Sequence, residues 1–235
     1  KNAPEEYVRI PSMTEEPILV LASNSPRRHE LLSLGGWDFL VHPADVDESL
    51  HPGEAPRTYV LRLAEEKARA CAESSRPGET ILAADTAVTI DGEILGKPVS
   101  AAEAVEMLRR LRGRRHQVCT GIAVLDTATS NLVTDLCVTD VPMRAYSEEE
   151  IQAYAASGDP LDKAGAYAIQ HARFRPVEAL AGCYASVMGL PLCHLRRGLR
   201  TLDILPKTDL AAECQAALQY ECPIFSRVLA GEDIG

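Results

Sequence analysis

The sequence predicts an α/β protein, because short apolar runs of strand length alternate along it with stretches whose apolar residues recur at helical spacing. Its 235 residues are enough for one large domain or for two small lobes with a sizeable hydrophobic core. The hydrophobic fraction is 46% and the charged fraction 25%, which is the balance of an ordinary soluble globular protein.

The composition also argues against several classes of protein. A net charge of −10 disfavours a general nucleic-acid binder, which normally carries a basic surface. No run reaches the ~18–20 apolar residues that span a membrane, so we expect no membrane partner. The seven cysteines include no CxxC pair, and five stand among apolar residues, which favours buried thiols over a zinc site or a disulfide framework.

The chain divides into three parts. Residues 1–17 are polar and lack the apolar core of a signal peptide, so we expect a poorly ordered leader and a cytoplasmic protein. Residues 18–203 carry the strand and helix patterns of the predicted domain. Residues 204–235 form a C-terminal extension in which the pattern predicts one helix, over 210–218.

The first strand, at 19–22, runs into a helix whose beginning breaks a local rule. Ser25 suits the N-cap, and Pro26 suits the first helical position. Arg27 and Arg28 then place two cations at the positive end of the helix dipole, where acids are preferred. A docked anion explains this better than two solvated arginines do, because free amides and guanidinium groups both bind phosphate.

A second strand, at 37–41, leads into an acidic loop. The loop contains Asp45, Asp47 and Glu48, and for any one of these acids a solvated turn is the simplest interpretation. Magnesium, however, is held by one or two carboxylates together with substrate phosphates. Glu48 is therefore a candidate metal ligand.

The next helix, at 56–74, carries a lysine in its apolar stripe. Lys67 stands seven residues after Val60, on the same face. Such a lysine either extends its ammonium to solvent or projects into a site that needs a cation. The usual exposure of lysine favours the first interpretation when the helix is considered alone.

A strand at 80–90 contains the strongest single-residue signal, Asp85. The strand is otherwise apolar and ends in an Asp-Gly hairpin turn, which indicates a largely buried strand. A buried unpaired carboxylate costs several kcal/mol, so Asp85 must be paired, bound to a metal or at the edge of a cleft. The returning strand ends at Lys97, which adds a cation after a short apolar segment.

The remaining sequence patterns mainly predict helices and strands with a structural role. Helices are predicted at 100–112, from 147 to 156 and up to about 202, and strands at 117–125 and 132–141. Between them, residues 162–170 place polar groups among small residues, which allows a ligand to approach the backbone closely.

Seven segments, in order along residues 18–203, closely resemble those of the Maf family of nucleoside triphosphate pyrophosphatases. They are Ser23-Asn24-Ser25-Pro26-Arg27-Arg28, Asp47-Glu48, Glu66-Lys67-Ala68, Ala84-Asp85-Thr86, Gly96-Lys97-Pro98, Asp162-Lys163-Ala164-Gly165-Ala166-Tyr167-Ala168-Ile169-Gln170 and Gly189-Leu190-Pro191. Any one segment is weak, whereas the ordered set is highly specific. The first and sixth segments look like those of the branch that acts on dTTP and UTP.

The resemblance implies both a fold and a reaction. The fold is an elongated mixed sheet with flanking helices and two lobes around a central cleft, similar to inosine triphosphatases, and the chain would form a homodimer. The reaction is metal-dependent hydrolysis of dTTP and UTP to the nucleoside monophosphate and pyrophosphate, a house-cleaning role in nucleotide pools. Two alternatives remain open: hydrolysis of 7-methyl-GTP or another non-standard nucleotide, and nucleotide sensing by a regulator of cell division.

The resemblance also assigns roles to residues. Asp85 would activate water and, with Glu48, hold Mg²⁺ or Mn²⁺. The triphosphate would be held by Ser23, Ser25, Arg27, Lys67 and Lys97, so that Lys67 points inward rather than to solvent. Base selection would rest on Arg28, Thr86 and Gln170. His171 and Ser186 depart from the usual family residues, glycine and asparagine, and the departure beside Gln170 bears on base selectivity.

Overall fold

The computed structural model describes residues 18–235, and the leader predicted over residues 1–17 lies outside the described residues. The strands are β1 (Ile18–Leu21), β2 (Phe39–Val41), β3 (Glu79–Ile90), β4 (Glu93–Leu95), β5 (Arg115–Asp126) and β6 (Leu132–Pro142). The helices are α1 (Pro26–Ser33), α2 (Pro56–Ala72), α3 (Ala101–Leu111), α4 (Glu148–Ala156), α5 (Tyr184–Met188), α6 (Leu192–Arg200), α7 (Leu210–Leu218) and α8 (Phe225–Leu229). Two 3₁₀ turns, Asp159–Asp162 and Ala164–Ala166, lie between α4 and α5.

The strands form one mixed sheet in the order β2-β1-β3-β5-β6, with β4 paired to β3. β1 is parallel to both β2 and β3, because each of those connections contains a helix. The connections from β3 to β4 and from β5 to β6 are hairpins, whereas the connection from β4 to β5 contains α3. β4 and β5 are antiparallel to β3, and β6 is antiparallel to β5. The predicted α/β class and mixed sheet are confirmed.

The two longest strands pass through two separate hydrophobic cores. β3 and β5 have 12 residues each, and alternate residues of β3 face the same side of the sheet. On that side Leu82 and Ala84 belong to a core built with α1, α5 and α6, whereas Val88 and Ile90 belong to a core built with α3 and α4. Thr86 lies between these two sets. The two lobes therefore share their central strands.

One edge of β3 is left unpaired at the junction of the two lobes. β1 pairs with β3 only as far as Leu21 opposite Leu82, and β4 begins to pair at Leu95 opposite Val88. β5 occupies the other edge of β3 without interruption from Thr80 to Thr89. Residues 83–87 therefore border an opening in the sheet, and side chains from both faces of β3 can reach it.

Helix α2 covers the other face of the sheet at very short range. Its buried stripe includes Val60, Leu63, Ala64 and Lys67. The helix backbone lies directly over Gly121 of β5, where an added Cβ would stand 2.5 Å from the carbonyl oxygen of Val60. A glycine is required at this point because both partners are backbone atoms, which cannot move aside as a flexible side chain can.

The C-terminal extension packs on the first of the two cores. α7 coincides with the helix predicted over 210–218, whereas α8 was not predicted. Leu210, Ile224 and Val228 are buried in the core that α1 and α6 also line. The indole Nε1 of Trp37 donates to the carbonyl oxygen of Leu205 at 3.0 Å, which ties the start of the extension to the domain. The boundary at residue 203 itself stays a prediction.

Most predicted element boundaries lie within two residues of the observed ones. The second strand is shorter than predicted, since β2 begins at Phe39. All seven cysteines are free thiols, and four of them are buried. Within residues 18–235, no helix combines the length and apolar character needed to cross a membrane.

The close approach of α2 to β5 predicts a large penalty for one extra methyl group. Gly121→Ala should lower the free energy of unfolding by about 3 kcal/mol, because the helix backbone must move away from the sheet. Urea unfolding followed by circular dichroism measures this change. Gly96→Ala is the matched control, since no atom lies within 4 Å of the added Cβ there. Equal stability of the two variants would contradict the packing argument.

Candidate active site

The opening at the edge of β3 leads into a polar cleft of about 620 Å³, a size typical of small-ligand sites. All ten residues that the sequence analysis singled out line this one cavity. They are Ser23, Ser25, Arg27, Arg28, Glu48, Lys67, Asp85, Thr86, Lys97 and Gln170. Residues separated by up to 147 positions in the chain are thus brought to one place, though their roles stay predictions.

The N-terminus of α1 forms one wall of the cleft. Ser25 occupies the N-cap position, as predicted, but its hydroxyl makes no capping hydrogen bond, so the expected cap is wrong. Instead, the backbone N–H of Ser25 donates to the hydroxyl oxygen of Ser23 at 3.2 Å. The first turn of α1 contains no acid. Its amides therefore remain available to an anion, which is the arrangement that phosphate-binding helices use.

An ion triad lies at the base of the cleft. The ammonium nitrogen of Lys67 is 2.6 Å from Oδ1 of Asp85 and 2.6 Å from Oε1 of Glu48. Lys67 is 8% exposed and Asp85 is 7% exposed, whereas the Glu48 side chain is half-exposed. The helix pattern alone favoured a Lys67 ammonium group that extends to solvent. That interpretation is therefore wrong. Burial is tolerated because each charge has an oppositely charged partner.

The triad keeps Glu48 ionised. Burial opposes ionisation, but the hydrogen bond and the charge of Lys67 outweigh it, and the pKa of Glu48 lies below its usual range. The nearby charges of Lys97 and Arg28 lower the pKa of Glu48 further. At neutral pH the cleft thus holds a carboxylate, not a carboxylic acid, at this position.

The two carboxylates suit a hard divalent cation. Both place an oxygen 2.6 Å from the ammonium nitrogen of Lys67, so the two carboxylates are close neighbours in the cleft. Among residues 18–235 there is no cluster of three or more His, Cys, Asp or Glu side chains with metal-binding geometry. The donor set fits Mg²⁺ or Mn²⁺, which take one or two carboxylates and complete their coordination with phosphate oxygens and water.

Arg28 connects the two sides of the cleft. Its Nε donates to the carbonyl oxygen of Gly189 at 2.9 Å, and its Nη2 donates to the hydroxyl oxygen of Thr86 at 3.2 Å. A longer bond, 3.4 Å, runs from Nη1 to the hydroxyl of Ser23. Burial lowers the pKa of Arg28, and the nearby charge of Asp85 opposes that shift. These bonds hold the guanidinium beside Thr86 and Gly189.

The opposite rim carries Lys97 and Gln170, both exposed to the cleft. The N–H of Gly165 donates to the carbonyl oxygen of Gly96 at 3.1 Å, which joins the segments that bear these two side chains. Gly165 has a φ of +69°, and a Cβ there would lie 2.7 Å from Val88. A glycine is needed because neither the backbone conformation nor the space admits a side chain.

The two family departures have different surroundings. His171 accepts the N–H of Phe174 through Nδ1 at 2.9 Å and packs against the ring of Tyr154, so it closes a local turn next to Gln170. Ser186 is fully buried, and its hydroxyl has no hydrogen-bond partner among the described residues. His171 adjoins Gln170, and Ser186 adjoins Val187, which also lines the cleft.

Sequence reasoning assigned no role to three other residues. Lys163 lines the cleft while almost fully buried, with its ammonium nitrogen 2.6 Å from both Asp162 Oδ1 and the carbonyl oxygen of Asp159. Tyr167 lines the same wall, and Thr120 lies behind Thr86. A polar residue inside an apolar strand was the available signal for Thr120, but threonine is so common in strands that the signal is weak.

The fold and the cleft together define an α/β protein whose two lobes enclose a site for a phosphorylated ligand, with cations on its walls and two carboxylates at its base. The family model described as Maf, Maf-like protein, matches residues 18–202. The chain belongs to the Maf family.

Similar proteins include two that are named dTTP/UTP pyrophosphatase. The protein of Geobacter metallireducens is 47% identical over 193 residues, which cover 82% of this chain and 100% of the relative. The protein of Anaeromyxobacter dehalogenans is 50% identical over 186 residues, 78% of this chain and 93% of the relative. The solved structure of the Staphylococcus aureus Ham1 protein aligns with 55% of this chain and 72% of its own, at 19% identity and with a TM-score of 0.41.

Buried His116, which is hydrogen-bonded to Tyr167, predicts how the stability of the fold depends on pH. His116 is buried, its Nε2 lies 2.8 Å from the Tyr167 hydroxyl, and burial lowers its pKa to about 4 against a weak opposing charge from Asp140. Between about pH 6.5 and 4, the unfolded chain binds a proton here that the folded chain does not, so the free energy of unfolding falls as the pH falls.

His116→Gln removes that titration while keeping a partner for the Tyr167 hydroxyl. From pH 7 to 4.5, the wild-type chain should therefore lose about 2 kcal/mol of unfolding free energy relative to the variant. Parallel urea titrations at the two pH values measure the difference. A stability difference that does not change with pH would show that His116 titrates normally.

Proposed function

We propose that this chain hydrolyses dTTP and UTP to the nucleoside monophosphate and pyrophosphate, and so removes these nucleotides from the pool. The observation that carries the proposal is the triad of Lys67, Asp85 and Glu48 at the base of a cleft rich in cations. Relatives named dTTP/UTP pyrophosphatase, 47% and 50% identical and matched over 93–100% of their length, support the same reaction for this chain.

The phosphate chain lies against the cations of the cleft. Arg27, the free amides of α1 and Lys97 all line the cleft. Lys67 approaches from the base, between the two carboxylates. A triphosphate brings about four negative charges, and these groups offset part of them before the reaction begins, so less reorganisation is needed as charge develops on the leaving pyrophosphate.

Asp85 is the general base for the attacking water. One carboxylate oxygen is bonded to Lys67, which fixes the orientation of the group. As the water oxygen bonds to the α-phosphorus, the water proton passes to Asp85, and the bond to the oxygen that bridges the α- and β-phosphates breaks. Lys67 and Arg27 stabilise the charge that the pyrophosphate carries away. Mg²⁺ or Mn²⁺ held by Asp85 and Glu48 supplies Lewis-acid charge neutralisation when bound.

The base contacts a second group of residues in the same cleft. Arg28 and Thr86 form one hydrogen-bonded unit there, and Gln170 also lines the cleft. A rigid arrangement of polar groups selects a base, because a wrong base leaves buried donors or acceptors unpaired. The homodimer, the cytoplasmic location and the lack of nucleic-acid and membrane partners stay predictions from the sequence.

Removing the proposed base should stop the reaction without unfolding the chain. Asp85→Asn keeps the shape of the side chain but cannot accept the water proton, so kcat for pyrophosphate release from UTP should fall about a thousandfold. Circular dichroism checks the fold. Asp47→Asn, an exposed change one residue from Glu48, is the control and should retain wild-type turnover. Wild-type-like turnover in Asp85→Asn would rule out the assigned role.

The two carboxylates also predict a metal requirement. Treatment with EDTA should abolish pyrophosphate release from dTTP and UTP, and added Mg²⁺ or Mn²⁺ should restore it. Glu48→Gln removes one ligand charge, so half-maximal activity should need about tenfold more metal, equivalent to about 1.4 kcal/mol of binding free energy. Full activity in EDTA, or an unchanged metal requirement in Glu48→Gln, would contradict this site.

A further inference from the structure

Thr120 lies directly behind Thr86, outside the cleft. The two residues face each other across β3 and β5 in the register of the sheet. Thr120 is fully buried, whereas Thr86 is partly exposed and lines the cleft. The pair stands at the junction of the two cores, where the strands would otherwise continue as an apolar surface. A buried hydroxyl at this place needs a partner to offset its loss of hydration.

The hydrogen bonds around Thr120 fix the direction of every proton. The hydroxyl of Thr120 lies 2.9 Å from the carbonyl oxygen of Ser186, and a carbonyl can only accept. Thr120 has a single hydroxyl proton, and that proton is used in this bond. The hydroxyls of Thr86 and Thr120 are 3.0 Å apart, so in this second bond Thr86 must be the donor.

The same reasoning determines what Thr86 presents to a ligand. Its only hydroxyl proton is directed away from the cleft, to Thr120. One of its two lone pairs accepts the Nη2–H of Arg28 at 3.2 Å. The second lone pair remains for the cleft, and Thr86 therefore acts there only as an acceptor.

We propose that Thr120 is a positioning residue that makes Thr86 an obligate acceptor, so that Thr86 takes the N3–H of uracil or thymine and excludes cytosine. Uracil and thymine both carry a proton at N3, whereas N3 of cytosine carries a lone pair. Cytosine in the same pose sets a lone pair against the lone pair of Thr86. The methyl group that distinguishes thymine lies at C5, away from this contact. The proposal rests on the proposed hydrolysis of dTTP and UTP.

The test compares kcat/KM for UTP, dTTP and CTP in the wild-type chain and in Thr120→Val, which has the same shape without a hydroxyl. In the variant, Thr86 is free to turn its proton toward the cleft and donate to N3 of cytosine. The UTP-to-CTP ratio of kcat/KM should fall about tenfold, through both a loss for UTP and a gain for CTP. An unchanged ratio overturns the proposal.

Two variants separate proton direction from simple packing. Thr120→Ser keeps the hydroxyl and should keep the wild-type ratio. Thr139→Val removes the hydroxyl of an equally buried threonine on β6, 3.8 Å from the sulfur of Cys137 and outside this hydrogen-bonded chain. It should also keep the ratio. The proposal fails if Thr120→Ser behaves like Thr120→Val, or if Thr139→Val lowers the ratio as far.

A further measurement needs no variant and is independent of whether Thr120→Val folds. In 3-deaza-UTP a C–H replaces the N3–H of the base, so the wild-type chain should hydrolyse it with about tenfold lower kcat/KM than UTP. Equal values overturn the proposal. The proposed function fails separately, if the wild-type chain releases no pyrophosphate from UTP or dTTP. If the wild-type chain hydrolyses UTP and dTTP but has an equal kcat/KM for CTP, only the role of Thr120 is refuted.

Discussion

The ion triad of Lys67, Asp85 and Glu48 is the interaction on which the rest of the site depends. Asp85 belongs to the buried central strand, and its charge would be very costly there without the ammonium 2.6 Å away. The lysine comes from α2, so the pairing also joins this helix to β3. The triad contains more negative than positive charge, which favours a further cation nearby. The same charges that pair within the fold are therefore the ones on which the proposed function rests.

The cleft itself results from an interruption in strand pairing. β1 stops opposite Leu82 and β4 starts opposite Val88, which leaves residues 83–87 of β3 with one open edge. Along a paired strand, neighbouring side chains would face opposite sides of the sheet and could not share a ligand. At this open edge Asp85 and Thr86 both border the same cavity. The residues proposed for chemistry and for base recognition are therefore neighbours in the chain, although their side chains belong to opposite faces of the strand.

Local sequence rules succeeded where short-range contacts decide the structure and were wrong where long-range contacts do. The hairpin at Asp91-Gly92 and the helix over 210–218 follow from turn chemistry and periodicity, and both were predicted. The predicted capping bond of Ser25 was wrong: its hydroxyl accepts no first-turn amide, and its backbone N–H donates to the Ser23 hydroxyl within the loop. The isolated interpretation of Lys67 was wrong because the average exposure of lysine takes no account of carboxylates on other elements. α8 is short and has no side-chain cap, and its sequence carries little helical signal.

Residue types in a fixed order along the chain were enough to predict the class of fold, the family and ten residues of the cleft. How those residues are connected depends on the tertiary structure. It places Lys67 between two acids, turns Arg28 toward Thr86 and Gly189, and sets Thr120 behind Thr86. Proton directions follow from which groups lie within 3 Å of one another, and that depends on the register of β3 with β5 and on the position of α5. No local pattern contains this information, since each bond joins residues that are distant in sequence.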